Sequence, residues 1–182
     1  MSIDEWNQRY RAGEQLFEEP APLVEEFASR IPAGTALDVA CGAGRNALYL
    51  AERGWRVTAI DGSPVAIEVL RRRAAARDVN IDARVADLER SEFEIPPDTF
   101  DLIVDSYYLQ RDLIPAMQRG LHAGGMLIVI VHLSDAEPTP TRVVPGELKT
   151  YFHGWNVLHD YEGVSRESCH RRAVAEIVAV KL

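Results

Sequence analysis

The chain has 182 residues, 47% of them hydrophobic and 26% charged, and its formal net charge is −8. This length fits one domain, and the composition excludes both a disordered chain and a membrane protein. An acidic protein repels phosphate backbones, so we expect a small-molecule partner rather than nucleic acid. The longest apolar run, residues 126–131, is far shorter than the roughly 20 residues needed to span a bilayer. With no secretory signal at the polar amino terminus, we expect cytoplasmic residence.

The first 30 residues form a predicted helical segment that precedes a core over residues 36–182. Trp6 and Tyr10 lie one helical turn apart in this segment. Such a pair is typical of aromatic side chains that anchor a terminal helix to the core.

Short apolar runs typical of β-strands alternate with helix-like stretches along the core. This alternation predicts an α/β fold around a parallel sheet, and the nearly continuous Val/Ile/Leu runs predict helices over both faces. Two final runs are separated by too few residues for a crossover helix, so we expect them to pair as an antiparallel hairpin. The predicted strands are residues 36–41, 56–60, 83–85, 101–104, 126–133, 156–161 and 173–181.

The predicted helix after the second strand carries clear start signals. Ser63 is a capping residue type, Pro64 fits the first helical position, and apolar residues then recur at helical spacing. We interpret its arginines as a solvated face. The apolar positions are Ile67, Leu70 and Ala74, and the arginines are Arg71, Arg72, Arg73 and Arg77.

The strongest signal is the glycine turn after the first strand, in which residues 36–47 read ALDVACGAGRNA. Gly42 and Gly44 allow a ligand to approach the backbone closely, and the following helix N-terminus favours an anionic group. The same glycines also fit a dinucleotide fingerprint, which alone is a weak signal. Asp61, at the end of the second strand, would hold ribose hydroxyls for either kind of cofactor.

Three features favour S-adenosylmethionine over a dinucleotide. Asp38 lies inside the first strand, where it could brace the loop backbone or orient an ammonium group, which a dinucleotide site does not need. Asp87, at the end of the third strand, could accept a hydrogen bond from an adenine amine. The chain also has no residues left for the separate substrate domain that a dehydrogenase usually carries.

With these residues the chain resembles a class I S-adenosylmethionine-dependent methyltransferase, and residues 37–46 resemble the tellurite-resistance-type branch. The resemblance implies one doubly wound, Rossmann-like domain with a mostly parallel seven-stranded sheet in the order 3-2-1-4-5-7-6 and strand 7 antiparallel. Gly42 and Gly44 would face the methionine portion of the cofactor. The segment around Trp6 and Tyr10 resembles one that folds over the bound cofactor, which leaves a lid and a simple anchor as alternatives. Ala40 departs from the family pattern, which has glycine there.

The resemblance and the strand ends together define the predicted cofactor site, which would hold S-adenosylmethionine and, after reaction, S-adenosylhomocysteine. Asp61 would face the ribose, and Asp87 with Leu88 the adenine. The predicted cofactor-binding residues are Tyr10, Asp38, Gly42, Gly44, Arg45, Asn46, Asp61, Gly62, Ser63, Asp87, Leu88 and Asp105.

Candidate catalytic residues follow the fourth and fifth strands. Tyr107 and Arg111 could bind an aromatic or anionic acceptor, since ligands of doubly wound sheets sit beyond the carboxyl ends of strands. His132 ends the fifth strand, where its imidazole could take a proton from the acceptor. The cysteines, Cys41 and Cys169, and the histidines, His170 among them, show no metal-ligand spacing, so we expect no metal.

Two other functions stay open at this point. The first is an NAD-binding oxidoreductase on the same glycine loop, and the second is a non-catalytic module that binds S-adenosylmethionine. The sequence leaves the methyl acceptor unidentified, with a tellurite-like oxyanion as a weak lead.

Overall fold

The computed structural model describes residues 1–14, 16–167 and 172–182, and the chain forms two compact units, residues 1–94 and 95–182. The first unit contains α1 (Ile3–Arg11), α2 (Pro22–Ala28), β1 (Thr35–Val39), α3 (Arg45–Glu52), β2 (Arg56–Asp61), α4 (Pro64–Ala76), β3 (Ile81–Val85) and a 3-10 turn (Leu88–Arg90). The second contains β4 (Phe100–Ser106), α5 (Leu113–Gly120), β5 (Leu121–His132), a 3-10 turn (Leu148–Phe152), β6 (Asn156–Val164) and β7 (Ala173–Val180). The single domain expected from the chain length stays a prediction.

In the first unit, β1 pairs in parallel with β2, and β2 in parallel with β3. The cap of α4 is the predicted one, because the Ser63 hydroxyl accepts a hydrogen bond from the Ala66 N–H at 3.0 Å and Pro64 begins the helix. The three apolar positions predicted for this helix, Ile67, Leu70 and Ala74, are buried. Local signals therefore account for where α4 begins and which face it buries.

In the second unit, β4 and β5 are parallel, and β7 runs antiparallel to both β5 and β6. The predicted hairpin is confirmed, and the strand order β3-β2-β1-β4-β5-β7-β6 is the predicted one. β5 begins five residues earlier than expected, at Leu121 rather than Met126. The pairing with β4 shifts register between Phe100 and Leu102, and Gly124, with φ of +80°, supplies the left-handed backbone at this irregularity.

The expectation that both faces of every strand are covered is wrong for the two edge strands, β3 and β6. Ala83 is the one buried residue of β3, and every residue of β6 is half-buried or exposed. Val85, Leu158 and Val164 remain exposed. An apolar run indicates a strand, but it does not tell whether helices or neighbouring strands will cover it.

Candidate functional site

The turn between β1 and α3 depends on left-handed backbone. Ala40, Gly42 and Gly44 have φ values of +49°, +55° and +81°. Glycine adopts such values freely, whereas Ala40 takes them at a cost on the order of 1 kcal/mol. The glycine expected from the family pattern at position 40 would remove this cost, so the departure from the pattern leaves a local backbone strain.

The carboxylate of Asp61 ties the end of β2 to this turn. Its Oδ2 accepts a hydrogen bond from the Gly42 N–H at 2.8 Å, and its Oδ1 accepts one from the Ser63 N–H at 2.7 Å. Burial raises the pKa of Asp61, although the two N–H donors act in the opposite direction. The three predicted cofactor residues at this point are therefore brought together by one side chain.

Asp38 is buried inside β1 and braces the first turn of α3. Its Oδ2 accepts a hydrogen bond from the Ala47 N–H at 3.0 Å, while its Oδ1 makes no hydrogen bond within the described part of the chain. Burial raises the pKa of Asp38 from 3.8 to about 7, and the charge of Arg45 opposes that rise. The observed contact is with helix α3 and not with the loop itself, so a role of Asp38 in bracing the loop or orienting an ammonium group stays a prediction.

The raised pKa of Asp38 gives a prediction for Asp38→Asn. The folded chain keeps a proton on Asp38 between about pH 4 and 7, where the unfolded chain has lost it, so the free energy of unfolding falls as pH rises through this range. Asparagine keeps an oxygen for the Ala47 N–H and removes the buried charge. We expect the variant's advantage in unfolding free energy over the native chain to grow by roughly 2–3 kcal/mol from pH 5 to pH 8. Thermal unfolding of both proteins at both pH values measures it, and an advantage independent of pH would contradict the assignment.

Helix α1 lies directly on the glycine turn and the start of α4. A Cβ atom on Gly42 would stand 2.5 Å from the Tyr10 hydroxyl, and the Ser63 hydroxyl donates a hydrogen bond to Asn7 Oδ1 at 2.6 Å. Trp6 stacks on Tyr10 with ring centroids 6.1 Å apart. Burial raises the pKa of the Tyr10 phenol, and the carboxylate of Asp61 raises it further. Helix α1 thus contacts Gly42 and Ser63, two of the predicted cofactor-binding residues, and its action as a lid stays a prediction.

The side chains of Arg45 and Asn46, both predicted to bind the cofactor, contact the segment between α1 and α2. Asn46 Oδ1 accepts a hydrogen bond from the Ala21 N–H at 2.9 Å, and the Arg45 guanidinium lies 5.3 Å from the centroid of the Phe17 ring. These contacts hold both side chains against residues 17–21. Their role toward a cofactor stays a prediction.

Asp87 and Leu88 follow β3 close to the end of β2, because the Ala86 N–H donates to the Asp61 carbonyl at 3.0 Å. Asp87 Oδ1 accepts a hydrogen bond from the Glu89 N–H at 3.0 Å and so begins the 3-10 turn, while Leu88 is buried. Asp87 is therefore a local cap, and its contact with adenine stays a prediction.

In the second unit, Tyr107 and His132 meet at the carboxyl ends of β4 and β5. Their ring centroids are 5.2 Å apart, and Tyr107 has a left-handed backbone with φ of +65°. The Tyr107 hydroxyl donates to Glu167 Oε1 at 2.8 Å and lies 3.1 Å from the Ser165 hydroxyl oxygen. Strain at a bulky residue is common at functional sites, so the cluster is a candidate acceptor site. Asp105, two residues earlier, is buried in β4.

Arg111 holds the loop that precedes the second 3-10 turn. Its guanidinium pairs with Glu147 at 2.6 Å and donates to the carbonyl oxygens of Thr139 and Arg142 at 2.8 and 2.9 Å. Hydrogen bonding to the Glu147 carboxylate raises the pKa of Arg111. Loop anchoring accounts for this side chain, and binding of an anionic acceptor by Arg111 stays a prediction.

Three residues that matter to these clusters carry no recognisable signal in the sequence. Ser165 and Glu167 lie about 60 positions from Tyr107 in the chain, and no local pattern pairs them. Arg73, which we had assigned to the solvated face of α4, donates to the carbonyl oxygens of Ala43 and Phe17. That part of the solvated-face interpretation is wrong, because the long arginine side chain reaches back over the turn.

The described residues contain no group of three or more His, Cys, Asp or Glu side chains that could hold a metal ion. Across the same residues, every helix is too short or too polar to cross a membrane. Cys41 is a free thiol whose pKa is raised by burial, and Cys169 and His170 lie outside the described residues.

Sequence comparison identifies relatives of the chain. A family model for a methyltransferase domain matches residues 36–125. The probable S-adenosyl-L-methionine-dependent methyltransferase TehB of Haemophilus influenzae (strain 10810) is 28% identical over 153 residues, which cover 78% of this chain and 52% of that protein. The chain spans about half the length of the first curated relatives that it matches.

Solved structures share the fold. The crystal structure of TehB from Haemophilus influenzae aligns with a TM-score of 0.78 and 24% identity, over 97% of this chain and 67% of that one. The crystal structure of a Burkholderia thailandensis 1,6-didemethyltoxoflavin-N1-methyltransferase, with 1,6-didemethyltoxoflavin and S-adenosylhomocysteine bound, gives a TM-score of 0.73 and 17% identity, over 98% and 86% of the two chains.

Proposed function

Because this chain belongs to the class I S-adenosylmethionine-dependent methyltransferases of the TehB type, we propose that it transfers a methyl group from S-adenosylmethionine to a small-molecule acceptor. S-adenosylhomocysteine would be the second product. The family assignment weighs against the NAD-dependent alternative. Cytoplasmic residence remains part of the proposal.

The observation that carries the proposal is the junction of Asp61, the glycine turn and α1. One carboxylate accepts hydrogen bonds from the Gly42 and Ser63 N–H groups, and the Tyr10 hydroxyl lies against Gly42. A carboxylate at the end of β2 suits a ribose hydroxyl pair, and the N-terminus of α3 suits the methionine carboxylate. Asp38 would contribute by holding the first turn of α3.

We further propose that the acceptor binds beside Tyr107 and His132. The support is the contact of the two rings and the strained backbone of Tyr107. Glu167, hydrogen-bonded to the Tyr107 hydroxyl, adds a carboxylate to this cluster and favours a neutral or cationic acceptor over an oxyanion. A tellurite-like oxyanion is therefore the weaker candidate.

S-adenosylmethionine supplies an activated methyl group, because its sulfonium is a good leaving group. The chain's own residues would hold donor and acceptor in line and keep water out, which are the main contributions that such a transfer needs from the protein. An acceptor hydroxyl would lose its proton during the transfer, and the His132 imidazole would take it. An amine or thiol acceptor would place less demand on that base.

The test is calorimetric titration of the chain with S-adenosylmethionine, S-adenosylhomocysteine and NAD under one buffer and salt condition. We expect both sulfur-containing cofactors to bind and NAD not to bind. Binding of NAD alone would overturn the proposal. Binding of S-adenosylmethionine without formation of S-adenosylhomocysteine across amine, phenol, thiol and tellurite acceptors would instead indicate a non-catalytic binding module.

A further inference from the structure

Arg73, near the carboxyl end of α4, joins the glycine turn to the segment that follows α1. Its Nη1 donates to the Ala43 carbonyl at 2.9 Å, and its Nη2 donates to the Phe17 carbonyl at 2.9 Å. The same Nη2 lies 2.8 Å from Glu18 Oε2. One guanidinium therefore binds both the middle of the turn and residues 17–18.

The contact with Ala43 fixes the orientation of one peptide plane in the turn. The carbonyl of the Ala43–Gly44 peptide accepts from Arg73, and the N–H of the same peptide donates to the Cys41 carbonyl at 2.9 Å. With both sides of the peptide hydrogen-bonded, the turn cannot rotate at this point without breaking a contact. The Arg73 side chain is only 14% exposed, so water competes weakly for its donors.

Residues 17–18 are held by two further arginines. Arg77 Nη2 lies 2.6 Å from Glu18 Oε2, and Arg45 lies over the Phe17 ring. Of these arginines, Arg73 also donates a hydrogen bond to the glycine turn, at the Ala43 carbonyl. At its other end, α4 holds α1 through the hydrogen bond between Ser63 and Asn7. The N-terminal segment is therefore hydrogen-bonded at two points that are ten residues apart in sequence, by Ser63 at the start of α4 and by Arg73 near its end.

We propose that Arg73 is a positioning residue for the cofactor. It sets the Ala43 peptide in the turn and holds residues 17–18, and thereby α1 and the Tyr10 hydroxyl, against Gly42. Because Tyr10 of α1 lies against Gly42, the contacts of Arg73 would slow the release of a cofactor bound at the turn. The inference rests on the proposed function, because the expected effect is on the affinity for S-adenosylhomocysteine.

The experiment compares Arg73→Gln with Arg71→Gln in the full chain. Arg71 is on the same helix and also donates to a backbone carbonyl, but to that of Ala83 on β3, so it controls for loss of a charge and of a helix-to-backbone contact. We expect Arg73→Gln to weaken S-adenosylhomocysteine binding at least about 10-fold, since charge-assisted hydrogen bonds are lost, and to speed its dissociation. Arg71→Gln should change the affinity less than about 2-fold. Equal effects, or no effect of Arg73→Gln, would overturn the proposal.

Hydrogen exchange in the ligand-free proteins gives a readout that is independent of the cofactor. We expect the α1 amides to exchange at least about 10-fold faster in Arg73→Gln than in the native chain, with Arg71→Gln unchanged. Unchanged exchange of α1 would overturn the positioning role. Failure of the native chain to bind S-adenosylhomocysteine would overturn the proposed function, and the exchange rates would still decide whether Arg73 holds α1.

If Arg73→Gln does not fold, Arg73→Lys replaces it in both measurements. Lysine keeps the positive charge, but its single ammonium cannot present the planar fork of donors that reaches both carbonyls. We expect Arg73→Lys to lose affinity for S-adenosylhomocysteine by an intermediate amount. Native affinity together with native hydrogen exchange of α1 would overturn the claim that the guanidinium must bind both carbonyls.

Discussion

Asp61→Asn should weaken binding of S-adenosylhomocysteine at least about 100-fold while leaving the chain folded. The Asp61 carboxylate accepts hydrogen bonds from the Gly42 and Ser63 N–H groups at once. Asparagine has only one side-chain oxygen, so it can accept from only one of these two N–H groups. Its NH2 group would face the other N–H, donor against donor, so the backbone at Gly42 or at Ser63 must shift. It would also offer fewer acceptors to ribose hydroxyls. Calorimetric titration measures the loss.

Asp82→Asn is the matched control for this prediction. Asp82 is an exposed aspartate on β3 that pairs with Arg84, so the substitution makes the same change of charge outside the site. We expect Asp82→Asn to bind S-adenosylhomocysteine with native affinity. We also expect both Asp82→Asn and Asp61→Asn to unfold cooperatively. Native affinity in Asp61→Asn would remove Asp61 from the cofactor site.

Gly44→Ala should lower the free energy of unfolding by roughly 3–5 kcal/mol, which corresponds to about 10 °C in Tm. Gly44 has φ of +81°, and an added Cβ would overlap Leu70 Cδ1 and stand 2.9 Å from Leu70 Cγ. Leu70 is fully buried on α4, so it cannot retreat without moving the helix or leaving a rotamer. Two costs therefore add, a strained backbone and an overpacked core.

Gly54→Ala separates the two costs. Gly54 has φ of +85°, but no atom lies within 4 Å of the position that its Cβ would take. We expect this variant to lose only about 1–2 kcal/mol, from the left-handed backbone alone. Denaturant unfolding of both variants measures the difference, and equal losses would mean that contact with Leu70 costs nothing.

The parts of the fold that were predictable are those set by neighbours in sequence. The Ser63 cap and the buried face of α4 follow from spacings of a few residues, and the terminal hairpin follows from a segment too short for a crossover helix. The structure confirms all three. Edge and central strands were not distinguished, because both are apolar runs and differ only in what is packed on them.

The residues of the candidate site were found where a strand end or a glycine marked them, as at Gly42 and Asp61. Contacts between distant segments were not predictable. Arg73 is one of three arginines on α4, and its contacts are with the carbonyl oxygens of Ala43 and Phe17, 30 and 56 residues earlier in the chain. Likewise, nothing in the sequence around Glu167 indicates its hydrogen bond with the Tyr107 hydroxyl, because the two residues are 60 positions apart.

The order of the last three strands bears on how this unit forms during synthesis. β7 lies between β5 and β6, and within the described residues β6 is hydrogen-bonded to β7 as its neighbour in the sheet. On the ribosome, β6 therefore emerges before the strand that it pairs with, at an elongation rate of about 5–20 residues per second. Until Ala173–Val180 have been translated, β5 exposes the edge that β7 will occupy. A nascent chain paused before β7 would present that apolar edge to chaperones.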